Sequence, residues 1–298
     1  MTRIVITGAN GQLGRELVRF SWPAGYELRP YTSAELDITD VAAVSAAVDV
    51  ANPDVIVNAA AYTAVDRAED DEERAMAVNA TAVEHLARAA DRADALLVHL
   101  STDYVFDGTK ADWYTETDPL APLGVYGRTK AAGEAAAAKA AKSVTLRTAW
   151  VYGALGSNFV TTMLRLAGER SELGVVDDQV GCPTSAADLA AAIAQLIEAT
   201  EGGRVQPPAT LYHLASPDSA TWHEFAMAIF ETSAAGFAGT CNRLTTAEYP
   251  TRAVRPANSR LASHQIATDL GIELPSWRRS LPRVVAELEG SPLRQSRV

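Results

Sequence analysis

Tyr126 and Lys130 are the residues of this sequence whose types and spacing most directly suggest proton transfer. They stand four residues apart, so a helix over Tyr126–Lys130 would place both side chains on one face. A tyrosine with an ordinary pKa of about 10 is a poor acid or base at neutral pH, but a neighbouring ammonium group favours its phenolate. The same spacing also arises by chance on protein surfaces, which leaves a simple surface pair as the alternative.

Three glycines near the start of the chain indicate a site for a dinucleotide. Gly8, Gly11 and Gly14 stand between a predicted strand and a predicted helix. Glycines at these positions permit a tight turn, bring the backbone close to a pyrophosphate and let the helix pack closely on the strand. The helix N-terminus then faces the anion. An ordinary turn is the alternative, but the strand–helix junction favours a nicotinamide dinucleotide as cofactor.

Thr102 adds a hydroxyl group to this chemistry. It stands in Ser101–Tyr104, at the end of a predicted strand and ahead of Tyr126 in the chain. Its hydroxyl can hydrogen-bond a carbonyl oxygen of the substrate while Tyr126 delivers a proton, which orients the carbonyl for hydride attack. Lys130 can also hold the nicotinamide ribose. We therefore interpret Thr102, Tyr126 and Lys130 as catalytic residues for the reduction of a carbonyl group.

The end of the second predicted strand bears on which dinucleotide binds. NADH sites often carry an acidic residue there, about 20 residues after the glycines, which holds the ribose 2′-hydroxyl. Residues 29–33 offer an arginine and hydroxyl groups instead, which leaves room for a 2′-phosphate. The cofactor is therefore expected to be NADPH or NADH, although Arg29 could equally point to solvent. Asp37 and Ile38, which come next, could bracket the adenine.

The elements that must position these residues alternate between short strands and Ala-rich helices. The predicted strands are Arg3–Thr7, Glu27–Tyr31, Val55–Ala59, Leu96–Ser101 and Val144–Trp150. This alternation predicts an α/β fold over residues 1–150, a Rossmann-like, doubly wound parallel sheet that binds the dinucleotide. Beyond residue 150 the alternation of strands and helices becomes less regular. We interpret residues 151–298 as a smaller, mainly substrate-binding C-terminal lobe with some segments returning to the core.

Composition excludes several other classes of protein. A chain of 298 residues with 48% hydrophobic content can bury a full core, and a net charge of -11 with scattered Lys and Arg argues against nucleic-acid binding. The two cysteines, Cys182 and Cys241, form no CxxC pair, which is typical of a reducing compartment. No apolar run reaches the length of about 18 residues that a membrane span requires. We expect a cytoplasmic protein without a membrane anchor, and the five histidines show no metal-ligand spacing.

Several motifs together resemble one known family. They are TGANGQLG, NAAAYTAVD, STDYVFDG, YGRTK and RTAWVYG, followed by Ser157–Phe159, Asp178–Thr184 and Arg255–Leu261. The chain resembles the extended short-chain dehydrogenase/reductase family over nearly its whole length, and within it the dTDP-4-dehydrorhamnose reductases. This resemblance implies reduction of the C4 keto group of dTDP-4-dehydro-L-rhamnose to give dTDP-L-rhamnose.

The resemblance also implies roles for individual residues. The catalytic positions match Thr102, Tyr126 and Lys130, of which the last two also contact the cofactor. The other cofactor positions match Gly11, Gln12, Leu13, Asp37, Ile38, Ala61, Tyr62 and Thr63, to which the glycine turn adds Gly8 and Gly14. The substrate positions match Thr102, Asp103 and Trp150. An indole offers an apolar face to a deoxysugar methyl group, although Trp150 could instead be a core residue.

Other interpretations stay open beside this one. Some members of the family pair through acidic residues that hold a divalent ion; Glu16 fits such a position, but Ala187 stands where a second carboxylate is expected. No metal is therefore predicted, and the protein is expected to be a monomer or a homodimer. The substrate could be another dTDP-4-keto-6-deoxysugar. The chain could also be a non-catalytic NADP-binding module resembling the regulatory subunit of methionine adenosyltransferase, although Thr102, Tyr126 and Lys130 are all present.

Overall fold

The computed structural model describes residues 1–202 and 209–290 of the chain. Its strands are β1 (Thr2–Thr7), β2 (Tyr26–Tyr31), β3 (Val55–Asn58), β4 (Leu96–Thr102), β5 (Ser143–Thr148), β6 (Val151–Tyr152), β7 (Glu172–Val176), β8 (Val180–Gly181), β9 (Thr184–Ser185), β10 (Thr210–His213), β11 (Ala220–Thr221) and β12 (Thr240–Leu244). Its helices are α1 (Gln12–Arg19), α2 (Val41–Ala51), α3 (Val65–Ala68), α4 (Glu72–Met76), α5 (Ala82–Ala93), α6 (Val125–Ala137), α7 (Phe159–Glu169), α8 (Ala186–Glu201), α9 (Trp222–Thr232), α10 (His264–Leu270) and α11 (Trp277–Gly290).

The centre of the molecule is a six-stranded sheet in the order β10-β5-β4-β3-β1-β2. Every neighbouring pair in it is parallel. The central strands β3 and β4 each begin with a run of mostly buried Val, Ile and Leu, as expected of strands covered on both faces. The predicted α/β fold with a doubly wound parallel sheet is therefore confirmed.

Helices cover both faces of this sheet. On one face, α1, α8 and α10 pack around Ile4, Ile6 and Leu17. On the other face, α2, α5 and α6 pack around Val5 and Ile56. A separate cluster around Phe225 and Trp277 joins α7, α9 and α11 with β7. Helix α8 packs on the central sheet, and β10 is one of its strands. Part of the chain beyond residue 150 therefore belongs to the central sheet and its helices, and not to the cluster around Phe225 and Trp277.

Trp150 ends β5 earlier than the sequence predicted. Its φ of 48° lies in the left-handed region, which a strand residue does not adopt. The strand therefore stops at Thr148, and Val151–Tyr152 forms the separate strand β6, which pairs with β9. The prediction of one strand over Val144–Trp150 was wrong at this end.

No helix in residues 1–202 and 209–290 combines the length and the apolar character that a bilayer crossing needs.

Candidate active site

The glycine turn between β1 and α1 has the tight geometry that the sequence suggested. Gly8 has a φ of 71°, and a Cβ on Gly14 would lie 2.1 Å from the Gly8 carbonyl oxygen. Side chains at these two positions would therefore collide with the backbone or strain it. Gly11 caps α1 without a side-chain hydrogen bond, so no side chain of the cap satisfies the first amide groups of the helix. An anionic group fits such a helix start.

A cavity of about 300 Å³ opens beside this turn, and we call it the Gly-loop cavity. It is lined by Gly8, Asn10, Gly11, Ser33, Leu36, Asp37, Ile38, Ala59, Ala60, Ala61, Tyr62, Arg74 and Val78. The wall combines apolar side chains, which suit an adenine ring, with backbone and polar groups of the glycine turn, which suit a ribose and a phosphate. A dinucleotide therefore fits the residues present.

The Gly-loop cavity contains half of the predicted cofactor contacts. Its lining includes the predicted Gly8, Gly11, Asp37, Ile38, Ala61 and Tyr62. Gln12, Leu13, Gly14 and Thr63 were also predicted and lie next to it in the chain, but they are not part of its wall. Arg29, considered for a 2′-phosphate, lies outside the wall and pairs with Glu27 at 2.5 Å.

Tyr126 and Lys130 lie one turn apart on α6, as their spacing suggested. The Lys130 ammonium is buried and donates a hydrogen bond to the Leu100 carbonyl oxygen at 2.5 Å. The Tyr126 ring packs edge-on against Tyr104, with ring centroids 5.4 Å apart. These contacts hold the helix face against the end of β4, where Thr102 lies.

Burial changes the proton affinities of this pair. It lowers the pKa of Lys130 to about 8, although the nearby charge of Glu134 opposes the shift. Burial also raises the pKa of Tyr126 to about 12, and the nearby Thr102 side chain partly opposes that rise. The sequence suggested that Lys130 would favour the phenolate, but desolvation of the phenol outweighs such an effect here. At neutral pH Tyr126 is therefore a protonated phenol.

Thr102 and Asp103 form a hydrogen-bonded pair at the carboxyl end of β4. The Thr102 hydroxyl donates to Asp103 Oδ1 at 2.9 Å and accepts from the Tyr104 amide. Burial raises the pKa of Asp103 to about 6. Across the ladder from Thr102 lies Thr148 of β5, whose buried hydroxyl has no hydrogen-bond partner in the described residues. The sequence analysis did not single out Thr148, although a polar residue at the end of a predicted strand could have pointed to it.

Trp150 is half-buried, and its indole stacks on Trp222 with ring centroids 3.5 Å apart and planes within 4°. Its left-handed backbone is rare for a bulky residue and costs on the order of 1–3 kcal/mol. Such strain persists where the surroundings impose it. Gly181 makes room for the ring, because a Cβ there would lie 2.3 Å from it. The contact with Trp222, which lies far along the chain, could not be read from the sequence.

Asn79 connects the wall of the Gly-loop cavity to α6, the helix that carries Tyr126 and Lys130. Its side chain bonds both the amide and the carbonyl oxygen of Tyr62, at 2.8 and 3.1 Å. The same amide group donates to the Thr129 hydroxyl on α6 at 3.0 Å. Asn79 lies in a π-helical turn, Ala77–Thr81, that follows α4. Sequence reasoning missed this residue, although a buried amide in an Ala-rich helical segment was a possible signal.

A buried ion pair lies one turn beyond Lys130. Glu134 accepts two hydrogen bonds from Arg147 of β5, at 2.8 and 2.7 Å, and one from Ser101 at 2.5 Å. The pair fixes the middle of α6 against β4 and β5. Sequence reasoning missed it as well, since Arg147 comes from a strand that appeared wholly structural.

Glu16, the position considered for a divalent ion, is buried and forms an ion pair with Arg19, which also pairs with Glu287. Burial raises the pKa of Glu16. Across the described ranges, three or more His, Cys, Asp or Glu side chains nowhere form a group that could hold a metal ion.

Comparison with known proteins places this arrangement in a family. A family model described as "RmlD substrate binding domain" matches residues 1–289. The dTDP-4-dehydrorhamnose reductase of Aggregatibacter actinomycetemcomitans is 44% identical over 97% of this chain and 100% of its own length. The chain belongs to the dTDP-4-dehydrorhamnose reductase family.

Other members of this family also match the chain over nearly its whole length. The Escherichia coli K12 dTDP-4-dehydrorhamnose reductase is 42% identical over 96% of this chain and 97% of its own length. The crystal structure of the Bacillus anthracis dTDP-4-dehydrorhamnose reductase, in complex with NADP, has a TM-score of 0.90 and 37% identity over 96% of this chain and 100% of that chain. The resemblance suggested by the sequence motifs is confirmed.

Proposed function

We propose that the chain reduces the C4 keto group of dTDP-4-dehydro-L-rhamnose with NADPH or NADH and so forms dTDP-L-rhamnose. One observation carries this proposal: Tyr126 and Lys130 on α6 face the end of β4, where Thr102 and Asp103 lie, beside a cavity that fits a dinucleotide. Full-length relatives are named for this reaction.

Each side chain of the site has a separate part in this reduction. When bound in the Gly-loop cavity and along α6, the reduced cofactor supplies the hydride that adds to C4. The Thr102 hydroxyl, which donates to Asp103 in this structure, turns to the carbonyl oxygen of the substrate and orients it. Tyr126, protonated at neutral pH, transfers its proton to that oxygen as the C–O double bond becomes a single bond. Lys130 holds the nicotinamide ribose, and its charge stabilises the Tyr126 phenolate until solvent returns the proton.

The remaining predicted contacts are assigned by position. We assign the glycine turn, including Gln12, Leu13 and Gly14, to the cofactor pyrophosphate, and Asp37 with Ile38 to the adenine. Residues 61–63 would line the path of the dinucleotide towards α6. Asp103 and Trp150 would contact the sugar, and the part of the chain beyond residue 150 would hold the dTDP group as a substrate lobe. Support for Asp103 comes from its position beside Thr102 and from its second carboxylate oxygen, Oδ2, which is buried and has no hydrogen-bond partner among the described residues.

The test supplies the purified chain with dTDP-4-dehydro-L-rhamnose and NADPH, follows the loss of NADPH, and identifies the sugar product by NMR. We expect dTDP-L-rhamnose, and turnover about 10²- to 10⁴-fold slower with the Tyr126→Phe variant. Turnover only with a different dTDP-4-keto-6-deoxysugar would assign the chain to that substrate. NADPH binding without turnover of any keto-sugar would favour the non-catalytic regulatory role.

Two further proposals concern the setting of the enzyme. We place it in the cytoplasm, where nicotinamide cofactors and nucleotide sugars are available, and cell fractionation with an antibody tests this placement. We expect a monomer or a homodimer in solution, which light scattering of the purified chain distinguishes.

A further inference from the structure

Arg74 is a residue of the Gly-loop cavity that the sequence did not point to. It lies on α4, one turn before Val78, and both side chains line the cavity. Among the residues that form this wall, Arg74 is the one that carries a positive charge. Since the adenosine end of a dinucleotide fits this cavity, the guanidinium is placed to meet a charge on that part of the ligand.

The Arg74 guanidinium is exposed, and within residues 1–202 and 209–290 it forms no ion pair and no side-chain hydrogen bond. The acidic residue two positions before it, Glu72, pairs instead with Arg128 at 3.4 Å. A cation in a cavity wall without a carboxylate partner keeps its full capacity to bind an anion. Its fork of N–H groups suits a phosphate, which it can bind through two hydrogen bonds.

The carboxylates that follow the second strand form no ion pair with Arg74. Glu35 turns back and accepts hydrogen bonds from the Thr32 amide and hydroxyl, both at 2.8 Å. Asp37 accepts from the Thr39 amide and hydroxyl at 2.9 and 2.7 Å. These bonds are the main cause that lowers the pKa of Asp37, and the charge of Arg74 adds a smaller effect. Both carboxylates thus have hydrogen-bond donors of their own.

The other arginine considered for this task lies in the wrong place. Arg29 on β2 is outside the cavity wall, its side chain is 58% exposed, and Glu27 neutralises it at 2.5 Å. Arg15, at the start of α1, donates to the Asn10 carbonyl oxygen at 2.9 Å and is not part of the wall either. Ser33, by contrast, lines the cavity just beyond the end of β2, where the 2′ position of an adenosine ribose is held in this kind of fold.

We propose that Arg74, together with the Ser33 hydroxyl, forms a subsite for the 2′-phosphate of NADPH and makes this chain prefer NADPH to NADH. The assignment rests on the proposed function, because it takes the Gly-loop cavity to be the adenosine site. A 2′-phosphate carries between one and two negative charges at neutral pH, and the 2′-hydroxyl of NADH carries none. Arg74 therefore interacts strongly with one cofactor only.

The experiment measures binding by isothermal titration calorimetry, without substrate or turnover. The ligands are NADP⁺ and NAD⁺, with the fragments 2′,5′-ADP and 5′-AMP, and the proteins are the wild-type chain, Arg74→Ala, Arg74→Gln and the matched control Arg29→Ala. Loss of one charge-assisted contact predicts an affinity for NADP⁺ and 2′,5′-ADP about 10- to 100-fold lower in both Arg74 variants. Affinity for NAD⁺ and 5′-AMP should change less than about threefold, and Arg29→Ala should bind all four like the wild type.

Raised ionic strength provides a second readout. The preference of the wild type for NADP⁺ should shrink as salt is added, because an exposed pair is screened, whereas the preference of Arg74→Gln should be small throughout. Equal losses for NADP⁺ and NAD⁺ would overturn the subsite and assign Arg74 to the adenine. Unchanged NADP⁺ affinity would overturn it too. Failure of the wild type to bind either dinucleotide would overturn the proposed function itself.

Discussion

The lowered pKa of Lys130 predicts a particular alkaline limit for the reaction. The proposed mechanism needs the Lys130 ammonium for cofactor binding and for stabilising the Tyr126 phenolate. Burial lowers the pKa of Lys130 to about 8 and raises that of Tyr126 to about 12. Raising the pH therefore removes the proton from Lys130 long before it removes the one from Tyr126. Activity should fall near pH 8 because the ammonium is lost while the phenol stays protonated.

The size of this effect follows from the pKa. With a value of about 8, some 90% of the Lys130 side chains are charged at pH 7 and some 10% at pH 9. The kcat/KM for NADPH, which reports the free enzyme, should therefore fall about tenfold between these two pH values and about tenfold for each further unit. Tyr126 with a pKa of about 12 would stay more than about 99% protonated at pH 9 and cannot cause this fall.

The assay is steady-state oxidation of NADPH with saturating keto-sugar, from pH 6 to pH 10 at constant ionic strength. Lys130→Met is the control: its kcat/KM should be low at every pH and should lack the limb near pH 8, because the titrating group is gone. A wild-type profile that stays flat to pH 10, or a limb near pH 8 that persists in Lys130→Met, would refute the assignment to Lys130. Circular dichroism at each pH checks that the fold persists.

The other predictions concern single substitutions at the end of β4 and on α6. Tyr126→Phe should lower kcat by about 10²- to 10⁴-fold with nearly unchanged NADPH affinity, because it removes the general acid alone; steady-state kinetics beside NADPH titration check this, and retention of most activity would contradict it. Thr102→Val should lower turnover while NADPH affinity stays the same. Loss of cofactor binding in this variant would show that the role assigned to Thr102 is wrong. Asp103→Asn should raise the free energy of unfolding at pH 8 by up to about 3 kcal/mol. Burial raises the pKa of Asp103 from 3.8 to about 6 in the folded chain, so the charged carboxylate destabilises the fold above about pH 6, and the substitution removes this charge. This gain should vanish near about pH 3, where the carboxyl is largely protonated in both the folded and the unfolded chain. Urea unfolding at the two pH values measures the gain, and an equal gain at both would contradict a charge effect.

Local patterns were enough to predict the fold and the helix that carries Tyr126 and Lys130. Runs of Val, Ile and Leu between Ala-rich segments indicated buried parallel strands, and the sheet has them. The spacing of Tyr126 and Lys130 is a property of one helix, and both do lie on α6. The boundary at Trp150 was wrong because this residue has a left-handed backbone, and its indole packs against Gly181 and Trp222, which come from other parts of the chain.

Proton affinities and remote contacts were decided only by the tertiary structure. The sequence determined by itself that a tyrosine, a lysine and a glycine turn were present at spacings suited to reduction with a dinucleotide. It could not determine that desolvation would raise the pKa of Tyr126, because burial depends on residues packed from several strands and helices. Nor could it show that Arg74, rather than Arg29, reaches the Gly-loop cavity. Arg74 stands some forty residues beyond the second strand, and the two come together only because parallel strands carry α4 to the same edge of the sheet.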